Sequence, residues 1–193
     1  MTIKELKLLA EKNRKRLVEV VYRAKAGHIG GDLSCLNVMT ALYFQVMKNL
    51  NPAEPKAPER DRFVLSKGHC VEALYVTLEA KGFLKPEILD TLGQFGSILS
   101  GHPTIEVPGI EVNSGALGHG LSIGVGMALA AKMNFHLSSP PSHPSPLTPH
   151  PYHTYVLMGD GEQGEGSIYE AAMAAHKYQI GRASCRERVS VAV

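Results

Sequence analysis

Two short apolar runs, Arg62-Phe-Val-Leu-Ser66 and Thr154-Tyr-Val-Leu-Met158, constrain this chain more than any other feature in it. Each ends on a glycine turn, Lys67-Gly-His69 after the first and Gly159-Asp160-Gly161 after the second, and each turn leads into a helical pattern. Short buried strands alternating with helices predict an α/β domain with a largely parallel sheet. The chain of 193 residues is long enough for one such domain, and 44% hydrophobic residues suit a soluble globular protein.

Helix signals fill the rest. Thr2 and Glu5 form a capping box, opening a long first helix that keeps an apolar beat to Gly27. A glycine-rich turn, AGHIGGDLS, precedes an apolar helix from Cys35 to Met47; a third helix ends near Gly82, and Pro86 opens a fourth through Leu92. Glycine and alanine dominate Leu121 to Met133, which predicts a helix packed closely on another helix or subunit. Ser167 and Glu170 form a second capping box for the last helix.

Composition excludes several classes. No apolar segment is long enough to span a bilayer and the N-terminus has no signal core, so a cytoplasmic protein without membrane contact is expected. Cys35, Cys70 and Cys185 form no CxxC pair, which argues against a disulfide framework or a zinc site. The net charge of +2 comes from one segment, where Arg182, Arg186 and Arg188 face only Glu187; residues 1–179 are neutral, and nucleic-acid binding loses its support. That segment breaks the pattern before it, since the last helix stops without a cap signal and no turn or strand logic links it to the residues beyond. Its core, IGRASCRERV, is the translation of a widely used short-read sequencing adapter, so residues 180–193 are expected to be a non-native tail. Half of the twelve prolines fall between Pro140 and Pro151, so 135–153 is expected to be an exposed, partly polyproline insertion. Its histidines His136, His143, His150 and His153 lack the spacing or companions that fix a metal geometry.

The chemistry gathers on glycine turns. In open α/β sheets, ligands bind beyond the carboxyl ends of strands, where turns present N–H groups and a helix offers its positive end. The stretch VLMGDGEQGEGS has that layout: glycines around Asp160 permit a diphosphate to approach, and one carboxylate suits a Mg2+ ion that also keeps phosphate oxygens and water. Upstream, His28, His69 and His102 each sit on a glycine-bracketed turn, a setting that exposes polar side chains to a cleft.

In their order along the chain, GHIGGDLS, ERDRFVLSKGH, GHPTIEVPGIEVNSGALGHGLSIGVGMALAAK and YVLMGDGEQGEGSIYEAAMAA resemble the N-terminal, diphosphate-binding half of transketolase. The short lead before GHIGG is most similar to the N-terminal subunit of split, two-gene transketolases. The resemblance implies a thiamine-diphosphate-binding fold, thiamine diphosphate and Mg2+ as cofactors, and two-carbon ketol transfer between sugar phosphates, as in the pentose phosphate pathway. It implies that Asp160 binds the metal, and that Gly159 and Gly161 border the diphosphate, Gly161 through its backbone. His69 matches a cofactor-side histidine, His28 and His102 match histidines of the donor-sugar site, and Gly115, Ala116 and Leu117 match the loop that touches the cofactor rings. Glu165 matches an acidic residue facing the partner's catalytic glutamate, so a dimer or larger assembly is implied.

Departures from the family pattern qualify these expectations. Ile29 replaces the usual proline, and His119 stands where glutamine is common, either acting in the site or packing. The family's second metal ligand is an asparagine beyond the final helix, and no asparagine occurs after Asn134. The resemblance therefore implies a chain truncated at its C-terminus that is inactive alone and needs a C-terminal transketolase subunit. The alternatives are an inactive fragment or binding module, and a related ketol transferase acting on another sugar or sulfo-sugar.

Overall fold

The computed structural model describes residues 1–138 and 152–181, with the strands Ala183–Arg186 and Val189–Ala192. Helix α1 (Ile3–Ala24) opens on the expected capping box: the Glu5 N–H donates to the Thr2 hydroxyl at 3.3 Å, and the Thr2 N–H to the Glu5 carboxylate at 2.7 Å. Two donors left over at the helix start are thereby satisfied.

Helix α2 (Ile29–Ala41), which runs on into a π turn at Leu42–Val46, begins six residues before the predicted Cys35. The glycines read as a turn are helical instead. A Cβ at Gly31 would lie 2.7 Å from Cys70 Sγ, so this glycine serves close packing. The turn itself is shorter and uses positive φ at Lys25 and Gly27.

Strand β1 (Arg62–Leu65) leads through a short 3-10 turn at Gly68–Cys70 into α3 (Val71–Lys81). Gly82, at φ 94°, closes α3 with its N–H on the Glu79 and Leu78 carbonyls. Helix α4 (Pro86–Leu89) stops short of the predicted Leu92. Helix α5 (His119–Ser138) exceeds its prediction at both ends, so the insertion read from 135 begins as helix; residues 139–151, with His143 and His150, lie outside the described residues. His153 is exposed, and its N–H donates to Asp61 Oδ1 at 2.7 Å.

Strand β2 (Thr154–Gly159) pairs with β1 in parallel, Arg62 opposite Thr154 and Leu65 opposite Leu157. Helix α6 (Gly166–Lys177) does not use the predicted capping box: Glu165 is its N-cap, and the Ser167 hydroxyl donates to the Gly118 carbonyl at 2.8 Å. It also has an ending that sequence did not reveal. Gln179 turns left-handed at φ 52° and the Ile180 N–H reaches the Ala175 carbonyl at 2.9 Å, a helix terminus built without glycine. No element was expected in 180–193, yet β3 (Ala183–Arg186) and β4 (Val189–Ala192) pair there, with β4 antiparallel to β2. The sheet order is β1-β2-β4-β3 and the sheet is mixed, the parallel β1–β2 pair being the predicted part. The free edge of β2 is a row of unpaired donors and acceptors that any nearby extended segment satisfies.

Side chains alternate between the two faces. Phe63, Leu65, Tyr155 and Leu157 join Leu36, Met39, Leu74 and Leu78 under α1, α2 and α3, while Val64, Val156 and Met158 meet Leu121 and Ile168 under α5 and α6. Gly124 of α5 lies directly on Val156, so the small-residue helix packs on β2 as well as on α6. No helix among the described residues is long and apolar enough to cross a membrane.

Candidate functional site

Parallel pairing puts the carboxyl ends of β1 and β2 side by side, with the Ser66 N–H donating to the Leu157 carbonyl at 2.9 Å. The loops beyond both strands therefore share one edge, where open sheets bind ligands. A third loop, 113–118, closes on them: the Ser114 hydroxyl donates to the Leu65 carbonyl at 2.7 Å, and a Cβ at Gly68 would fall 2.8 Å from the Gly115 nitrogen. Only glycine permits this backbone-to-backbone contact.

Glu162 ties the three loops together. Its carboxylate is 1% exposed and accepts the Ser66 hydroxyl at 2.5 Å and the Gly118 N–H at 3.0 Å on one oxygen, and the Gly159 N–H at 2.7 Å on the other. Three donors, two of them backbone, hold a buried charge without a cationic partner. The crowding of acidic residues after Asp160 was visible in the sequence, but nothing there marked Glu162 as the buried one.

The predicted histidines converge on the same edge. The His28 and His69 rings meet edge to face with centroids 5.4 Å apart. His102 lies against Gly115, whose Cβ would be 2.5 Å from His102 Cδ2, and the Tyr75 hydroxyl holds this segment through the Ser100 carbonyl at 2.9 Å. Burial, with the charges of Lys67, His28 and His102, holds the His69 imidazole below the usual histidine value, so it is neutral at pH 7. Lys67 is 5% exposed, its ammonium donates to the Ser34 hydroxyl at 3.3 Å, and it forms no ion pair among the described residues. It is a second residue that sequence reasoning passed over, although it stands inside the SKGH motif. Cys70 is fully buried and forms no disulfide.

Asp160 and Glu165 are exposed at the rim. Asp160 Oδ1 accepts the Gly161 N–H at 3.0 Å, so that N–H is turned to its neighbour's carboxylate. Positions 161, 164 and 166 have nothing within 4 Å of where a Cβ would stand, which leaves open space along the turn. Glu165 packs on Gly118, its Cβ 2.7 Å from where that of Gly118 would be. Ala116 and Leu117 offer carbonyls to His119 Nδ1 at 3.3 and 3.2 Å, and Leu117 is 40% exposed. His119 is thus engaged with its own loop. Gly159 anchors the other side through Glu162.

An exposed carboxylate on an open glycine turn, a buried lysine and clustered imidazoles form a donor set that fits a diphosphate with a hard divalent cation. No group of three histidine, cysteine or acidic residues able to hold a metal by itself occurs among the described residues, so phosphate oxygens and water would complete the sphere. The largest cavity, about 710 Å3, lies elsewhere, between α5, β2 and α6. Its lining is mostly apolar and includes none of His28, His69, His102 or Asp160, which makes it a packing groove at the β2 edge.

Comparison with known proteins gives consistent findings. The family described as "Transketolase, thiamine diphosphate binding domain" matches residues 6–185. One of the two subunits of an apulose-4-phosphate transketolase from Phocaeicola vulgatus is 69% identical over 180 residues, 93% of this chain and 59% of that protein. A 6-deoxy-6-sulfo-D-fructose transketolase subunit from a Clostridium species is 45% identical over 163 residues, 84% of this chain and 54% of that protein. Among solved structures, transketolase from Leishmania mexicana superposes with a TM-score of 0.79 at 32% identity, over 88% of this chain and 25% of that one. The chain thus spans little more than half the length of these two subunits.

Proposed function

We propose, starting from the fact that this chain belongs to the transketolase family through its thiamine-diphosphate-binding domain, that it forms part of the N-terminal subunit of a two-subunit transketolase. Such an enzyme moves a two-carbon ketol unit from a ketose phosphate to an aldose acceptor. The observation that carries this reading is the meeting of His28, His69 and His102 with the Asp160 turn at the carboxyl ends of β1 and β2. Subunit names among the relatives support a partner chain, and 69% identity to an apulose-4-phosphate transketolase subunit supports a branched ketose phosphate of that kind as donor.

When bound, thiamine diphosphate supplies the nucleophilic carbon and the electron sink that carbon–carbon cleavage needs. The protein's own residues bind and orient. Asp160 holds the Mg2+ ion on the diphosphate; drawing its carboxylate outward frees the Gly161 N–H for a phosphate oxygen. Lys67 supplies a fixed positive charge beneath the anion. Neutral His69 donates or accepts one hydrogen bond beside the cofactor, and His28 and His102 orient the hydroxyls of the donor sugar. The loop 115–117 borders the cofactor rings, and Glu165 faces the partner subunit.

The test is ketol transfer by the protein mixed with the partner subunit, with thiamine diphosphate, Mg2+ and a panel of donors that includes apulose 4-phosphate and 6-deoxy-6-sulfo-D-fructose. Turnover with apulose 4-phosphate is expected. Absence of transfer with every donor, in a mixture that binds the cofactor, would overturn the reading.

A further inference from the structure

Two carboxyl groups lie buried together beneath the histidine turn, and ketol transfer gives them no task. Asp32 of α2 is fully buried, and Glu72 in the first turn of α3 is 3% exposed. Asp32 Oδ1 accepts the Ala73 N–H at 3.0 Å, whereas Asp32 Oδ2 and Glu72 Oε2 are both shut from solvent without a donor. The two side chains are within hydrogen-bonding reach of each other. Two carboxylates cannot satisfy each other's lone pairs, and like charges this close in a buried site do not both ionise. One proton between them supplies the missing donor.

Glu72 also touches the site. A Cβ at Gly27, where φ is +125°, would lie 3.1 Å from Glu72 Cδ and Oε1, and His28 is the next residue. From the other side, Gly31 is packed on Cys70. The start of α2 is thus held between a carboxyl group and a thiol.

We propose that Asp32 and Glu72 share a single proton and act together as a positioning pair, holding the Gly27–His28 turn and the His28 imidazole at the mouth of the site. The task given to His28 rests on the ketol-transfer reading; the proton sharing does not. The titratable groups facing the pair are His28 on its turn, His102 from its loop, Lys67 and Cys70 from the turn after β1, Cys35 on α2 and Tyr75 on α3, while α1 contributes Val21 at Gly27. Burial raises both carboxyls above their ordinary values. The charges of His28 and His102 favour the ionised form of Glu72, which leaves the proton on Asp32. Asp32 is pushed up to about 8, by burial first and then by the Glu72 charge, against the opposing Ala73 N–H.

In the unfolded chain both carboxyls ionise near pH 4, whereas the folded protein keeps one proton to about pH 8. Folding takes up about one proton between pH 5 and 8, so the unfolding constant grows roughly tenfold per pH unit from this source.

Urea unfolding of the purified wild type and Asp32→Asn across that range reads the uptake, because the amide replaces the proton as donor to Glu72. The wild type is expected to lose stability with rising pH about tenfold per unit faster than the variant, and to show at pH 7 an infrared carbonyl band of a protonated carboxyl that the variant lacks. Parallel pH slopes, or no such band in the wild type, would overturn the shared proton. Should Asp32→Asn not fold, Glu72→Gln supplies the same donor from the opposite side and the same comparison holds. Positioning is read by NMR: the His28 ring resonances should move as the wild type releases the proton near pH 8 and stay still in the variant, and resonances that ignore the release refute the positioning role. If these arms succeed while no ketol transfer is found, the functional reading fails and the pair stands.

Discussion

Replacing Glu162 isolates the joint between the three loops of the site. Glu162→Ala removes the acceptor of the Ser66 hydroxyl and of the Gly118 and Gly159 N–H groups, all within 3.0 Å of a carboxylate that is 1% exposed. A buried donor left without a partner costs about 1–3 kcal/mol, so three of them place the loss near 3–6 kcal/mol after partial relaxation. Glu162→Gln keeps the shape but turns an amide NH2 toward one of the backbone donors, which lowers the expected cost to about 1–3 kcal/mol. The assay is urea unfolding of the ligand-free protein at pH 7, read as a shift in midpoint at constant slope. A double-mutant cycle with Ser66→Ala adds a second number, and contact through one hydrogen bond to a charge predicts a coupling of about 1–2 kcal/mol. A Glu162→Ala protein within about 1 kcal/mol of wild type, or a Ser66–Glu162 coupling near zero, would refute the reasoning, since no native network of three buried bonds is removed so cheaply.

His69 and the α2 glycines give further tests. Because burial lowers the His69 value in the folded state, its contribution is present above the unfolded value near 6.5 and is lost as pH falls below it. Between pH 7.5 and 5.5 wild type should therefore lose about a few tenths of a kcal/mol more than His69→Gln, solvent screening keeping the effect small. Gly31→Ala drives a Cβ to 2.7 Å from Cys70 Sγ and should cost about 1–3 kcal/mol, with relief by Cys70→Ala in the same unfolding experiment. Gly30→Ala meets nothing within 4 Å on a helical backbone and should be neutral or stabilising by up to about 1 kcal/mol.

Local chemistry made much of this protein legible in its sequence. Thr2 and Glu5 cap α1 through side chains three residues apart, and the two apolar runs became β1 and β2 with their glycine turns where the spacing put them. Where the outcome depended on a distant partner, sequence misled or was silent. Gly30 and Gly31 read as a turn because the sulfur that needs the space lies at Cys70, and Ser167 read as a cap because its true acceptor is the Gly118 carbonyl. Glu162, Asp32 and Glu72 differ from surface acids only in what folds over them, so nothing local set them apart from Asp160 or Glu165. The histidines were legible because each brings its own glycines, and their convergence results from strands that end at one edge.

The central claim is that the Asp160 turn holds the cation and diphosphate of thiamine diphosphate, and calorimetric titration with that cofactor tests it most directly. Asp160 is exposed, so Asp160→Asn should shift the unfolding of the ligand-free protein by less than about 0.5 kcal/mol. Binding should require Mg2+, disappear with a chelator, and weaken in Asp160→Asn by at least the tenfold to hundredfold that even an outer partner of a metal ligand is worth. Binding that is indifferent to Mg2+, or equally tight in Asp160→Asn, would contradict it.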